Sequence, residues 1–357
     1  MKKILLIFNL GILCCGIVSC QNYKKMNEKF DWNPGISAPE NYPMEPYQVD
    51  FVSPDSSSTG AFCKPVGYAT PWGDNGSSAS VGSNLKAIPV RLDITWLSYT
   101  ENQFYTGSFQ LPYDTILALF KKGWPDFNYS TNPPTPITKT FNEITVGMAP
   151  GGVVVVWLSG TANRIDVGRF QAQKTNFDMK KFAPYAYTSD QNVYVKKLVS
   201  DSAVSDNLAK NGIPYGLWDK YRQRFIMRPV IIYDWPTPIK TSQLVLDYYS
   251  GEEETLDSTT IQKNEYASRV RPQKFNFYWY VDWAGKKQGY QLPIEFNEAE
   301  IMKAYAEIYG SATLDNKIQA DLIVEVNRGN DEFRVFLQGN GKKIELLQSK
   351  GEIYLSN

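Results

Sequence analysis

The sequence predicts an α+β, β-rich protein: two similar antiparallel-sheet domains, each backed by a helix, with a helical connector between them. Three observations carry this reading. The aromatic share is 14%, with 23 Tyr, 21 Pro and 25 Gly, which suits short strands and tight turns better than helical bundles. The 357 residues exceed the roughly 100–200 of one typical domain. The element order β-β-α-β-β-β is also read twice, once from Arg91 and again from Lys274.

Residues 1–19 read as a cleaved signal peptide. Lys2 and Lys3 make a positive start, Ile4 to Val18 an apolar run, and the small Ser19 stands before Cys20, which is the layout of an export leader. The run falls short of the roughly 20 apolar residues of a bilayer-spanning helix. Ile17-Val18-Ser19-Cys20 resembles the lipobox of bacterial lipoproteins. That resemblance implies lipidation of Cys20, cleavage before it and acylation, typically by palmitate, of the new amino terminus. Residues 20–30 are polar and without apolar periodicity, and read as a tether.

The first domain is predicted over 31–172. Arg91 to Tyr99 and Gln103 to Leu111 alternate as strands, and Tyr113 to Lys122 is helical with Gly123 as its stop. A proline-rich loop at Pro133, Pro134 and Pro136 precedes a strand from Glu143 to Met148. The run Val153–Leu158 is apolar at both alternations, as a strand covered on both faces requires. Arg164 to Gln171 closes the domain. Residues 173–225 are the predicted helical connector, with Val195, Leu198, Val199 and Leu208 as its apolar stripe.

The second domain is predicted over 226–357, starting with strands Pro229 to Trp235 and Gln243 to Ser250. Lys274 to Trp283 and Gln288 to Leu292 then precede a helix from Glu298 to Tyr309. Asn297 is its cap, Glu300 stands at the capping-box position, and Ile301, Ala304, Tyr305 and Ile308 recur at helical spacing. Strands at Gln319–Val326, Glu332 to Leu337 and Lys343 to Leu347 follow. Phe109-Gln110-Leu111-Pro112 and Tyr290-Gln291-Leu292-Pro293 look like one signature before the two helices, which points to a duplication.

Charge and composition exclude several classes. The 37 basic and 37 acidic residues balance, whereas a nucleic-acid binder shows a basic excess, so no nucleic-acid partner is expected. Of four cysteines, Cys14 and Cys15 leave with the leader and Cys20 takes the lipid. Cys63 is left alone, without a disulfide, as a small apolar residue. The chain has 0 His, which removes Ser-His-Asp and Cys-His machinery and His-bearing zinc sites. No catalytic, metal or cofactor motif is found, so the expected protein is not an enzyme and holds no cofactor.

Candidate sites are therefore binding faces. In the strand from Phe275, the residues Phe275, Phe277, Trp279, Val281 and Trp283 form an apolar face. Asn276, Tyr278, Tyr280 and Asp282 form the other, where amphipathic rings could anchor a protein partner or stack a sugar. The ordinary alternative is a solvated sheet face or a domain interface. Glu252-Glu253-Glu254 with Asp257 reads as a solvated hairpin tip more readily than as a cation site, which needs converging oxygens. Trp72-Gly73-Asp74-Asn75-Gly76-Ser77-Ser78 reads as a turn and not as a phosphate loop. Asp93, Glu101, Asp234 and Asp282 are scattered acids; a glycosidase would need two about 5 to 10 Å apart, and Asp93 is expected to pair with Arg91.

Three phrases together carry a family likeness: Ile94-Thr95-Trp96-Leu97-Ser98-Tyr99, the stretch from Gly147-Met148-Ala149-Pro150 to Trp157, and Gly216-Leu217-Trp218-Asp219-Lys220-Tyr221. They resemble the envelope lipoproteins grouped as domain of unknown function 2931. The resemblance implies coverage of most of the mature chain and supports lipidation, but implies no activity and no functional residues. The resulting expectation is a lipoprotein of the cell envelope, at the outer membrane, since Gln21 and Asn22 include no aspartate of the kind that retains lipoproteins at the inner membrane. Its role would be non-catalytic protein binding at the domain junction or the Tyr278/Tyr280 face, an immunity role against an envelope toxin being one form of this. Carbohydrate binding is the alternative, and a carboxylate-based hydrolase the third reading.

Overall fold

The computed structural model describes residues 28–78, 83–128, 130, 135–234, 240–283, 285–310 and 318–356. The leader, Cys20 and most of the tether lie outside the described residues, as do Pro133, Pro134, Trp235 and the side chain of Trp283. The chain is β-rich, built from several largely antiparallel sheets. It divides into two units: residues up to Gly160 with Val167–Ile213, and Thr161–Asp166 with Pro214–Asn357. Among the described residues no helix is long and apolar enough to cross a membrane.

After a short strand Lys29–Asp31, which pairs with Leu85–Ala87, the first unit has β1 (Asn33–Ser37), β2 (Met44–Val52), β3 (Ser58–Gly60) and β4 (Ser77–Ser78). Then come β5 (Arg91–Ser98), β6 (Gln103–Gln110), α1 (Tyr113–Lys122), β7 (Glu143–Ala149), β8 (Val153–Gly160), β9 (Asn163–Gln171) and β10 (Gln173–Thr175). One sheet runs β10-β6-β5-β2-β3 and the other β4-β1-β7-β8-β9, with β1 and β7 parallel. Val153 to Leu158 are all buried, so the doubly apolar strand sits where the sequence places it, covered on both faces. The helix α1 buries Ile116, Leu117 and Phe120.

Three helices finish the unit: α2 (Met179–Phe182), α3 (Gln191–Leu198) and α4 (Ser202–Asn211). They lie within the stretch read as a connector, and their residues group with the first unit. Met179 and Val195 join Leu97, Tyr99 and Phe104 in one buried cluster, flanked by Phe177, Phe182 and Tyr194. The helical segment therefore covers part of the outer face of the β5–β6 sheet. Glu45 accepts hydrogen bonds from the Tyr99 and Tyr194 hydroxyls there, and burial pushes both phenols well above their ordinary pKa. Those hydroxyls stay protonated donors over the whole working pH range.

The second unit contains α5 (Leu217–Tyr221), β11 (Phe225–Tyr233), β12 (Lys240–Tyr248), β13 (Glu253–Asp257), α6 (Ser258–Lys263) and β14 (Ala267–Arg269). It continues through β15 (Pro272–Trp283), β16 (Lys286–Glu295), α7 (Glu298–Tyr309), β17 (Gln319–Val326), β18 (Phe333–Gly339) and β19 (Lys342–Glu345), then β20 (Lys350–Gly351) and β21 (Tyr354–Ser356). The strand β16 pairs with β15 and, at its other edge, with β20 and β21; β15 continues to β12 and β13. The other sheet runs β14-β11-β17-β18-β19, with β11 and β17 parallel. Nine strands of each unit follow the same pairing order, with a single parallel pair in each; the first unit adds the short pair of Lys29–Asp31 with Leu85–Ala87, and its edge strand β10 stands where the second unit has β20 and β21. A hairpin of Trp124–Asn128 with Thr135–Lys139 interrupts the first copy after its helix and has no counterpart in the predicted β-β-α-β-β-β order.

The two Gln-Leu-Pro signatures fall at different places relative to their helices. Pro112 is the N-cap of α1, whereas Pro293 lies inside β16, opposite Asn276. Counting back from each helix start equates Gln110 with Glu295, and both sit opposite the first residue of an equivalent pair, Arg91 or Lys274. Asn297 caps α7 by accepting from the Glu300 N–H at 3.0 Å. The Glu300 carboxylate reaches the Gln348 N–H at 2.9 Å, tying the helix to the chain after β19.

Candidate functional site

The register of β15 and β16 decides which side chains share a face. Phe275, Phe277, Trp279 and Val281 are buried, so the apolar alternation points inward, where Phe277 and Trp279 stack at 5.0 Å. Tyr278 and Tyr280 point to the outer face and are half-buried, and Asp282 is exposed at its end. The Tyr278 hydroxyl accepts from Gln291 Nε2 at 2.8 Å and from Asn276 Nδ2 at 3.3 Å. Lys287 Nζ lies 3.8 Å from the centre of the Tyr280 ring, a cation–π contact. These polar and ring contacts of the two tyrosines are all with their own sheet. Asp282 serves the hairpin: its Oδ1 accepts from the Gly285 N–H at 3.1 Å.

The equivalent position in the first unit is treated differently. Tyr280 and Gly289 form a cross-strand pair that corresponds to Leu97 and Phe104. Leu97 and Phe104 are buried beneath α2 and α3, while the second unit carries a half-exposed tyrosine over a glycine. A side chain at Gly289 would strike the Ser356 carbonyl at 2.6 Å and approach the Tyr280 ring at 3.2 Å, so the glycine leaves room for that ring to lie across the sheet.

A depression of about 500 Å³ adjoins this face, lined by Lys274, Asn276, Pro293, Glu295, Glu352 and Tyr354, among others. The first unit has one of about 520 Å³ at the matching place, with Gln48, Asp93, Thr95, Thr106, Ser108 and Gln173 on its walls. Asp93 lines it as an ion-paired group: Arg91 Nη2 is 2.9 Å away and Ser108 Oγ donates at 2.6 Å. The Arg91 hydrogen bond holds its carboxyl below the usual carboxylate range, against a smaller opposing effect of burial.

The other sequence-selected residues have structural partners. Glu101 accepts from the Gly151 N–H at 3.1 Å and from the Tyr105 hydroxyl at 2.8 Å, clasping the β7–β8 turn. The Asp234 backbone N–H donates to the Val326 carbonyl at 3.0 Å. In the Trp72 to Ser78 loop the backbone amides serve the fold: Gly73 N–H donates to Ser37 Oγ at 3.1 Å and Gly76 N–H to the Ile36 carbonyl at 2.8 Å. Trp72 packs edge-on against Trp157 at 4.8 Å. Burial pushes the Cys63 thiol up to about 11.

The glutamate run corrects the sequence reading. It is not a solvated tip, because each carboxylate meets an arginine. Glu252 lies 2.6 Å from Arg224, Glu253 3.7 Å from Arg164 and Glu254 2.7 Å from Arg269. Sequence reasoning missed this because the partners come from three distant segments. Among the described residues no three acids or thiols gather as metal ligands would.

The family model described as "Protein of unknown function (DUF2931)" matches residues 19–216. The match covers the first unit and ends close to its last residue, Ile213. No curated protein matches the chain. No solved structure matches it either. With more than half of its residues matched, the chain belongs to the DUF2931 family of proteins of unknown function.

Proposed function

We propose that this protein is a lipid-anchored component of the bacterial cell envelope, held at the outer membrane through Cys20, that binds a protein partner without chemistry of its own. Its docking surface is the outer face of the β15–β16 sheet, with Tyr278 and Tyr280 as anchors and Asp282 at the rim. One observation carries this reading. The two units share a strand order, yet where α2 and α3 cover Leu97 and Phe104 in the first, the second carries the half-exposed Tyr280, with Tyr278 next to it on the same face. Tyrosines presented on a rigid sheet have the amphipathic character of interface anchors. The matched pairing orders further support descent of both units from one duplicated α+β domain.

A glycan is the second reading, favoured by the neighbouring depression, whose polar walls include Tyr354 at 48% exposure. A carboxylate-based hydrolase is the third reading: Asp247, Glu295 and Glu352 line the second-unit depression, whereas Asp93, the single acid lining the first-unit one among the described residues, is already engaged by Arg91 and Ser108. Capture from envelope extract with residues 21–357 as bait tests the main reading. A stoichiometric partner lost with Tyr278→Ala/Tyr280→Ala supports it. A partner retained by that variant refutes the assigned face, and binding of glycans in place of protein refutes the class.

A further inference from the structure

The inner faces of the two units carry the same aromatic pair. Trp96 and Tyr105 stand opposite each other across β5 and β6, stacked at 5.3 Å and 24°. Trp279 and Tyr290 do so across β15 and β16, at 5.4 Å and 16°. Each pair adjoins a hairpin turn of its unit's other sheet. Gly152 leaves no space for a Cβ beside Tyr105, and Trp279 Nε1 donates to Asn330 Oδ1 at 2.9 Å.

The first unit closes this junction with its own carboxylate. Glu101, from the β5–β6 turn, receives the Tyr105 hydroxyl and the Gly151 N–H together. Among the described residues no acid lines that place in the second unit; the sequence after Asp282 is Trp283-Ala284-Gly285-Lys286, and Asp282 is engaged in capping Gly285. What stands there is a cavity of about 820 Å³, whose walls include Val281, Lys286, Tyr290, Arg328 and Asn330. The Tyr290 hydroxyl makes no hydrogen bond among the described residues, although its counterpart Tyr105 does.

We propose that this cavity binds a small organic acid, a carboxylate on an apolar body. The carboxylate takes the hydroxyl of Tyr290 and meets the turn at Arg328–Asn330, as Glu101 meets Tyr105 and Gly151 in the first unit. Lys286 and Arg328 supply positive charge on the walls, and Val281 with the Tyr290 ring gives the apolar body a surface. The volume lies within the roughly 300–1,000 Å³ of small-molecule sites. Tyr290 belongs to the opposite face of β16 from the partner-binding tyrosines, so the two proposals stand or fall separately.

Titration of residues 21–357 with 3-phenylpropanoate and octanoate, beside their neutral amides, tests this by calorimetry and by the tryptophan indole N–H signals. Saturable binding of an acid is expected, at least tenfold tighter than its amide, as loss of a charge-assisted hydrogen bond implies. Tyr290→Phe keeps the stacked ring and should weaken the acid roughly tenfold, and Arg328→Ala should weaken it too. Tyr105→Phe, the same change in the first unit, should leave binding as it is. An unchanged melting temperature in Tyr290→Phe separates loss of the site from loss of the fold. Failure of both acids to saturate by about 10 mM, tenfold beyond a millimolar Kd, overturns the proposal. So does equal binding of acid and amide, or full affinity in Tyr290→Phe.

Discussion

Alanine substitution along one strand separates the two faces of β15. Phe277 and Tyr280 are near neighbours in sequence, but Phe277 is 0% exposed in a stack with Trp279, while Tyr280 is half-buried beneath one lysine. Phe277→Ala removes a buried ring and leaves a cavity, which costs about 3–5 kcal/mol. Tyr280→Ala loses one cation–π contact worth about 0.5–1 kcal/mol and part of a strand preference spanning about 1 kcal/mol, for about 1 kcal/mol in all. At roughly 2–4 °C per kcal/mol for a unit of this size, thermal unfolding followed by circular dichroism should fall by about 6–20 °C for the first and about 2–4 °C for the second. Partner binding should show the opposite order among folded variants. A Tyr280→Ala variant as unstable as Phe277→Ala would mean that the ring is packed under something, and the docking face would be lost with it.

Four further outcomes follow from the same structure. Cys20→Ala should abolish incorporation of labelled palmitate and leave uncleaved precursor; retained label would remove the lipid anchor. Glu101→Ala leaves the Tyr105 hydroxyl and the Gly151 N–H without that acceptor, at about 1–3 kcal/mol for each buried group, and a urea midpoint unchanged from wild type would refute the clasp. The Cys63 thiol, pushed by burial from 9.0 to about 11, should react with a disulfide reagent at pH 8 roughly a hundredfold slower than in the unfolded chain; equal rates would show an accessible thiolate. Because Arg91 lowers the Asp93 carboxyl, that pair's stabilisation is present above the unfolded aspartate value of about 3.9 and is lost as pH falls through the lower folded value. Urea midpoints of wild type and Arg91→Gln should therefore differ at pH 6 and draw together as pH falls below the unfolded aspartate value of about 3.9, and a gap independent of pH would refute the pairing.

What was legible in the sequence was what local periodicity encodes. The alternation from Phe275, the doubly apolar Val153–Leu158 and the stripe of the helix from Glu298 each specify a face, because burial acts on neighbours two or four residues apart. An order of elements was legible, but the register between the two hairpins that precede the helices was not. Leu-Pro occurs before both helices by chance, at a helix cap in one copy and within a strand in the other. The glutamate run was misread because Arg164, Arg224 and Arg269 come to it through strand pairing that no local window contains. The cavity beside Tyr290 was invisible for the same reason: it exists by contrast with Glu101, and only the two registers make those positions comparable.

The most direct test of the docking face is site-specific photo-crosslinking in the native envelope. A benzophenone amino acid replaces Tyr280 in one strain and Leu347, 78% exposed, in another. The account predicts one discrete protein adduct from position 280 and none from position 347. No adduct at 280, or the same adduct from both positions, would contradict it.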